Sequence, residues 1–188
     1  DVVFTNDAAI AGADRNLFVA YLIAGNTFLV PAATNSTIDR GTGPAAFDGA
    51  SVSLSADMNG DARPDIVGLG TDLLSWWTVE GTATAPVYTE SVIAALQDGA
   101  ALASGDLNDD DAPDLVVADD DGLRAMLNGA TGGAWMTLGA ANGLGASAVG
   151  LIDVVVGDVT GDGALDIVGI TATSVQYWEN SGTATPTF

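Results

Sequence analysis

The chain has 188 residues, 25 of them acidic and only four basic, for a net charge of −21. It contains no Cys and no His, and its four basic residues are all Arg, which excludes disulfides, thiol chemistry, His-based triads and metal sites, and Schiff-base lysines. The charge argues against nucleic acid or an anionic membrane as partner, and no apolar run of 18 residues exists to span a bilayer.

An apolar share of 48% over this length is enough for one domain with a real core. The 24 Gly point to many tight turns. The chain opens at Asp1-Val2-Val3, which reads as a processed or truncated end. Residues 1–50 carry the weakest pattern. The next fifty are clearer. A strand is predicted over Ser51–Ala56, then an Asp-rich loop from Asp57 to Asp65, a second strand over Asp65–Leu69, a third over Leu73–Val79 and a ragged fourth over Pro86–Ile93. The order then repeats: Ala101–Gly105, a loop from Asp106 to Asp114, and strands Asp114–Ala118, Leu123–Asn128 and Ala134–Gly139. A third round gives Ile152–Gly157, a loop from Asp158 to Asp166, and strands Asp166–Ile170 and Ser174–Asn180. Helical periodicity is weak throughout.

The three loops share one chemistry. Oxygen-bearing side chains stand at positions 1, 3, 5 and 9: Asp57, Asn59, Asp61 and Asp65; Asp106, Asn108, Asp110 and Asp114; Asp158, Thr160, Asp162 and Asp166. Carboxylates crowded this closely repel one another, and a hard cation relieves the repulsion. Calcium accepts six to eight oxygen ligands in a tolerant geometry, including backbone carbonyls, which Arg63, Ala112 and Ala164 would supply at position 7. Magnesium demands a stricter octahedron, and zinc prefers Cys and His. We therefore expect three Ca2+ sites, the third weaker because Thr160 stands where the others have Asn. Position 12 is Gly68, Val117 or Gly169, not the Glu of an EF-hand, and strands rather than helices flank the loops. The competing reading is an Asx-rich turn that binds nothing; threefold recurrence at identical spacing weighs against it.

The period is about fifty residues. Asp65 to Asp114 is 49 residues and Asp114 to Asp166 is 52. Trp77, Met126 and Trp178 each fall 12 residues past the last loop Asp. Gly81-Thr82-Ala83-Thr84-Ala85-Pro86 and Gly182-Thr183-Ala184-Thr185-Pro186 are near-identical. Four short strands in such a period describe one propeller blade. The predicted fold is therefore all-β, a β-propeller of four-stranded antiparallel blades with about four blade-equivalents: a partial blade over residues 1–50, full blades over 51–100 and 101–150, and a partial blade over 151–188. Asp1 takes the place of a last loop Asp and Tyr21 that of Trp77, with an insertion around Asn6–Asn16, including Asp14 and Arg15, as a candidate specialised loop.

The loop Asp-x-Asn-x-Asp-x-x-x-Asp followed by Ile-Val, with Tyr177-Trp178-Glu179-Asn180-Ser181-Gly182-Thr183-Ala184-Thr185-Pro186-Thr187-Phe188 downstream, resembles the FG-GAP/VCBS repeat family, and the resemblance covers nearly the whole chain. It implies the propeller of integrin α chains and bacterial extracellular proteins, with structural calcium in the loops joining the first two strands of each blade. It also implies an extracellular or cell-surface protein that works by adhesion or protein interaction and is not an enzyme. Family propellers usually have about seven blades and this chain supplies roughly four, so one of three situations is expected: a fragment of a larger propeller, a small closed ring, or self-association in which neighbouring chains donate strands to the incomplete end blades. Three other readings stay open: a lectin-like propeller binding glycans through Trp76 or Trp135, a structural subunit of an extracellular assembly, and the propeller part of a polysaccharide-acting enzyme, which would need catalytic groups absent from these residues. Trp77 and Trp178 recur at one repeat position and read as inter-blade packing. Asp119-Asp120-Asp121-Gly122 reads as a solvated hairpin turn.

Overall fold

The computed structural model describes residues 22–24, 27–30, 36–39, 52–82, 85–129, 134–145 and 150–188. The expectations placed on Asp1, Tyr21 and the Asn6–Asn16 insertion lie outside the described residues. Three short strands, β1 (Leu22–Ala24), β2 (Thr27–Val30) and β3 (Ser36–Asp39), form an antiparallel meander. Two four-stranded meanders follow. The first is β4 (Val52–Ala56), β5 (Asp65–Leu69), β6 (Leu73–Thr82) and β7 (Ala85–Ala95); the second is β8 (Ala101–Gly105), β9 (Asp114–Asp119), β10 (Gly122–Asn128) and β11 (Trp135–Leu138). A three-stranded sheet closes the described chain: β12 (Leu151–Gly157), β13 (Asp166–Thr171) and β14 (Val175–Trp178). The fold is all-β, with sheets in which sequential strands pair antiparallel. We call the units carrying β4–β7, β8–β11 and β12–β14 repeats II, III and IV.

The strands begin where the sequence places them because each Asp-rich loop closes a hairpin. Its last Asp pairs with the residue just before the loop: Ala56 with Asp65, Gly105 with Asp114, Gly157 with Asp166. Ends differ more than starts. The β6–β7 hairpin runs past the expected Val79 to the pair Thr82 and Ala85. In repeat IV the third strand stops at Trp178, short of the expected Asn180, because no fourth strand pairs with β14 among the described residues.

The second strands of repeats II and III are buried on both faces. All five residues of β5 and all six of β9 are buried, so these strands read as continuous apolar runs. The cause is stacking of sheet on sheet. Leu115 and Val117 of β9 join Val67, Leu69, Leu74 and Trp76 of repeat II in one core. Val116 and Ala118, on the opposite face of the same strand, join Leu151, Val154 and Ile167 of repeat IV in a second core. Repeat III is thus sandwiched between its neighbours. A Cβ added at Gly105 would stand 2.7 Å from the Val156 Cγ1 of repeat IV, so the III–IV contact requires Gly there.

Candidate metal centre

The three Asp-rich loops lie at one end of their sheets, each joining the first and second strand of its repeat. A cleft of about 290 Å3 separates the loop of repeat II, at Asp57, Met58 and Gly60, from that of repeat III, at Asp111, Ala112 and Pro113. A second cleft of about 550 Å3 lies between Asp106–Asp109 of repeat III and Asp162–Leu165 of repeat IV.

The local fold follows from backbone geometry. Positions 4 and 6 of every loop take positive φ: 74° and 64° at Gly60 and Ala62, 58° and 65° at Asp109 and Asp111, 81° and 96° at Gly161 and Gly163. Gly adopts this region freely and Asp tolerates it, whereas Ala is strained there. Ala62→Gly is therefore expected to stabilise the protein by about 1 kcal/mol, read as a rise in melting temperature; a fall would count against the left-handed turn at that position.

The carboxylate at position 1 closes the turn. Asp57 accepts the N–H groups of Asp61 and Ala62 at 3.0 and 2.7 Å, and Asp106 those of Asp110 and Asp111 at 3.1 and 2.8 Å. Asp158 accepts from Gly161, Asp162 and Gly163. At position 5, Asp61, Asp110 and Asp162 accept the N–H at position 7, from Arg63, Ala112 and Ala164. Asn59 and Asn108 each donate through Nδ2 to the Asp at position 5.

Position 9 has a further task that its spacing did not disclose. Asp65, Asp114 and Asp166 are completely buried. One oxygen of each accepts the N–H of loop position 2: Met58 at 3.2 Å, Leu107 at 2.8 Å, Val159 at 3.0 Å. The other accepts the N–H of the residue fourteen positions on: Val79 at 3.0 Å, Asn128 at 2.7 Å, Asn180 at 2.9 Å. The last loop Asp thus ties the loop to the third strand of its own sheet in repeats II and III, and to the segment just past that strand in repeat IV. Trp76 Nε1 adds a third donor to Asp65 at 3.1 Å.

Burial and hydrogen bonding act on these groups in opposite directions, and the balance differs between them. Desolvation raises Asp114 to about 6 against the hydrogen bonds from Asn128 and Leu107, with Asp110 and Asp106 adding repulsion. Desolvation also raises Asp65. At Asp166 burial again acts upward, but the hydrogen bonds from Asn180, Thr160 and Val159 together outweigh it and the group is lowered. For Asp114 the folded state holds its proton more tightly than an ordinary carboxylate of 3.8. Its contribution therefore favours folding at low pH and is lost as pH rises through about 6. In chelator, the melting temperature is expected to rise between pH 7 and pH 5, and the rise to shrink in Asp114→Asn; equal pH slopes in the two proteins would remove Asp114 from this account.

The donor set suits a hard cation in type, every side-chain donor being an oxygen. In the second loop each oxygen of Asp106, Asp110 and Asp114 takes a single N–H donor and keeps a second lone-pair site, whereas Asp65 Oδ2, Asp158 Oδ1 and Asp166 Oδ2 each already take two. Asn108 Oδ1 fits as well, being buried without a hydrogen-bond partner at position 3 of its loop. Among the described residues no three His, Cys, Asp or Glu side chains are gathered into a ready-made cage. Asp57, Asn59, Asp61, the Arg63 carbonyl and Asp65 remain the residues that could hold an ion in the first loop, and their equivalents at Asp106–Asp114 and Asp158–Asp166 in the others.

Two side chains behave differently from expectation. Trp76 is buried, sits edge-on to Trp135 at 6.2 Å between ring centroids and donates to Asp65. It is core, not the exposed ring a sugar would stack on, because the next sheet covers it. Asp119 is also buried; it pairs with Arg124 and accepts the N–H groups of Gln97 and Asp121, so the acidic run is a turn pinned at its first residue rather than a fully solvated one. Sequence reasoning missed Asn128 and Asn180. Asn128 Nδ2 donates to the Met58 carbonyl at 2.7 Å and Asn180 Nδ2 to the Leu107 carbonyl at 2.8 Å, each crossing from one repeat to the loop of the repeat before. Their common place fourteen residues past the last loop Asp was the available signal. No family model matches the chain, and no curated protein matches it.

Proposed function

We propose that the protein is an extracellular, calcium-stabilised propeller-type repeat protein of the FG-GAP/VCBS kind, acting as an adhesion or protein-interaction module and not as an enzyme. The observation that carries this reading is the recurrence of one loop, with one hydrogen-bond scheme and one set of oxygen donors, at the same end of three successive antiparallel sheets. Threefold repetition of carboxylate clusters favours a structural over a catalytic role. Calcium would supply positive charge to each cluster. Asp106, Asn108, Asp110 and the Ala112 carbonyl would hold it in repeat III, with Asp114 behind them, and the other two loops would do the same. Three ions would bring the net charge from −21 to about −15. No helix among the described residues is long and apolar enough to cross a membrane.

Calcium titration of chelated protein tests the cation. We expect up to three ions per chain, weaker binding of magnesium, and a melting temperature that rises with free calcium, by about 2.7 kcal/mol of stability for each occupied site at a hundredfold excess over its dissociation constant. Asp110→Ala is expected to lower the melting temperature in calcium; an unchanged melt would sink the site in repeat III. The adhesion reading is tested separately, by calcium-dependent binding of the immobilised chain to extracellular matrix proteins, with a glycan array as the competing arm. Binding to glycans alone would replace adhesion with the lectin reading.

A further inference from the structure

Repeats II and III each present one face that the next repeat covers. In repeat II it includes Met58, Leu69, Leu74 and Trp76; in repeat III the residues at the same positions are Leu107, Ala118, Leu123 and Ala125. All eight are at most 5% exposed. The same four positions in repeat IV are Val159, Ile170, Val175 and Tyr177, and they are 40–69% exposed. They form an apolar face on an otherwise strongly acidic molecule, and nothing among the described residues covers it.

We propose that this face of repeat IV is a docking surface for a further repeat of the same build. Both existing contacts show what such an occupant brings. Its second strand supplies apolar residues to the sheet before it, as Leu115 and Val117 do for repeat II and Ile167 does for repeat III. An Asn fourteen residues past its last loop Asp reaches the carbonyl at position 2 of the preceding loop, as Asn128 does to Met58 and Asn180 to Leu107. The acceptor in the matching place on repeat IV is the Val159 carbonyl. The Asn selects the occupant. Repeat II carries Val79 at that position, and residues 1–50, aligned on Tyr21, carry Ile23. Asn128 and Asn180 are already engaged. The partner is therefore a further Asp-loop repeat bearing this Asn, rather than the chain's own first repeat or that of a second copy. The proposal rests on the packing of repeats II–IV and is independent of calcium.

The chain has no Cys, so Val175→Cys places a single reporter thiol on the face. Its labelling rate would be compared in the 188-residue chain and in the same chain extended after Phe188 by a second copy of residues 89–150, which resume the fourth strand and add a repeat of type III. Fast labelling of the parent, monomeric by light scattering, and labelling at least ~10-fold slower in the extended chain are expected. Asn→Val in the appended copy, at the position of Asn128, should return part of the rate. Equal rates in parent and extended chains would overturn the proposal. So would a parent thiol protected in a monomer, which means that the chain's own residues cover the face, or one protected only as mass rises with concentration, which makes a second copy the occupant.

Discussion

Asp114→Ala is expected to be among the most damaging single substitutions in this protein, with or without calcium. Asp114 is fully buried, and its two oxygens hold the N–H groups of Leu107 and Asn128 at 2.8 and 2.7 Å. Truncation strands both donors away from water, at about 1–3 kcal/mol each. The total, about 2–6 kcal/mol, is a large part of the 5–15 kcal/mol that holds a typical domain folded. At this chain length each kcal/mol moves the melting temperature by about 2–4 °C. Asp114→Asn recovers only part of the loss, because one of the two acceptors becomes a donor facing an N–H. The decisive comparison is made in chelator. A tie between loop and third strand predicts the full loss there; a residue acting only as a cation ligand predicts none. Asp110→Ala, by contrast, removes a side chain from a loop at the surface, so its effect should depend on calcium.

The second large effect is expected at Asn180. Its Nδ2 donates to the carbonyls of Leu107 and Leu165 at 2.8 and 2.9 Å, and its Oδ1 accepts the Gly182 N–H at 2.9 Å. Asn180→Val, the residue type that repeat II already carries there as Val79, leaves these partners unpaired at a cost of about 2–4 kcal/mol. Asn128→Val should cost less, because Asn128 Oδ1 already lacks a partner and only the Met58 carbonyl is orphaned. In a stack of repeats the loss should concentrate at the weakened interface. Amide exchange in β12–β14 is then expected to accelerate more than in β8–β11. Uniform acceleration, or equal losses in the two variants, would count against an inter-repeat clamp.

Much of the local architecture is legible in the sequence. The nine-residue spacing of the loops, the β-branched runs after Asp65, Asp114 and Asp166, and the period of 49 and 52 residues place most strands to within a residue or two. Turn chemistry explains this. Left-handed positions are marked by Gly or Asp at five of the six places, with Ala62 the exception, and a hairpin's register is set by its own loop. Strand ends were less legible, as at Thr82 and Trp178, because pairing with the following strand decides where a strand stops.

The oxygen-rich composition of the loops is likewise a property of the sequence alone. What those oxygens do first was settled by tertiary structure. Position 9 looks like one more ligand in the loop, yet it is buried and tied to an N–H fourteen residues away. Trp76 looks free and is core. Asn128 looks like the end of a strand and reaches a carbonyl seventy residues back. Local pattern and propensity act over a few residues, whereas these contacts form only when whole sheets stack. The same reason makes the apolar residues of β14 look like ordinary strand positions in the sequence. Their place on an uncovered face appears only when repeat IV is laid beside the two repeats before it.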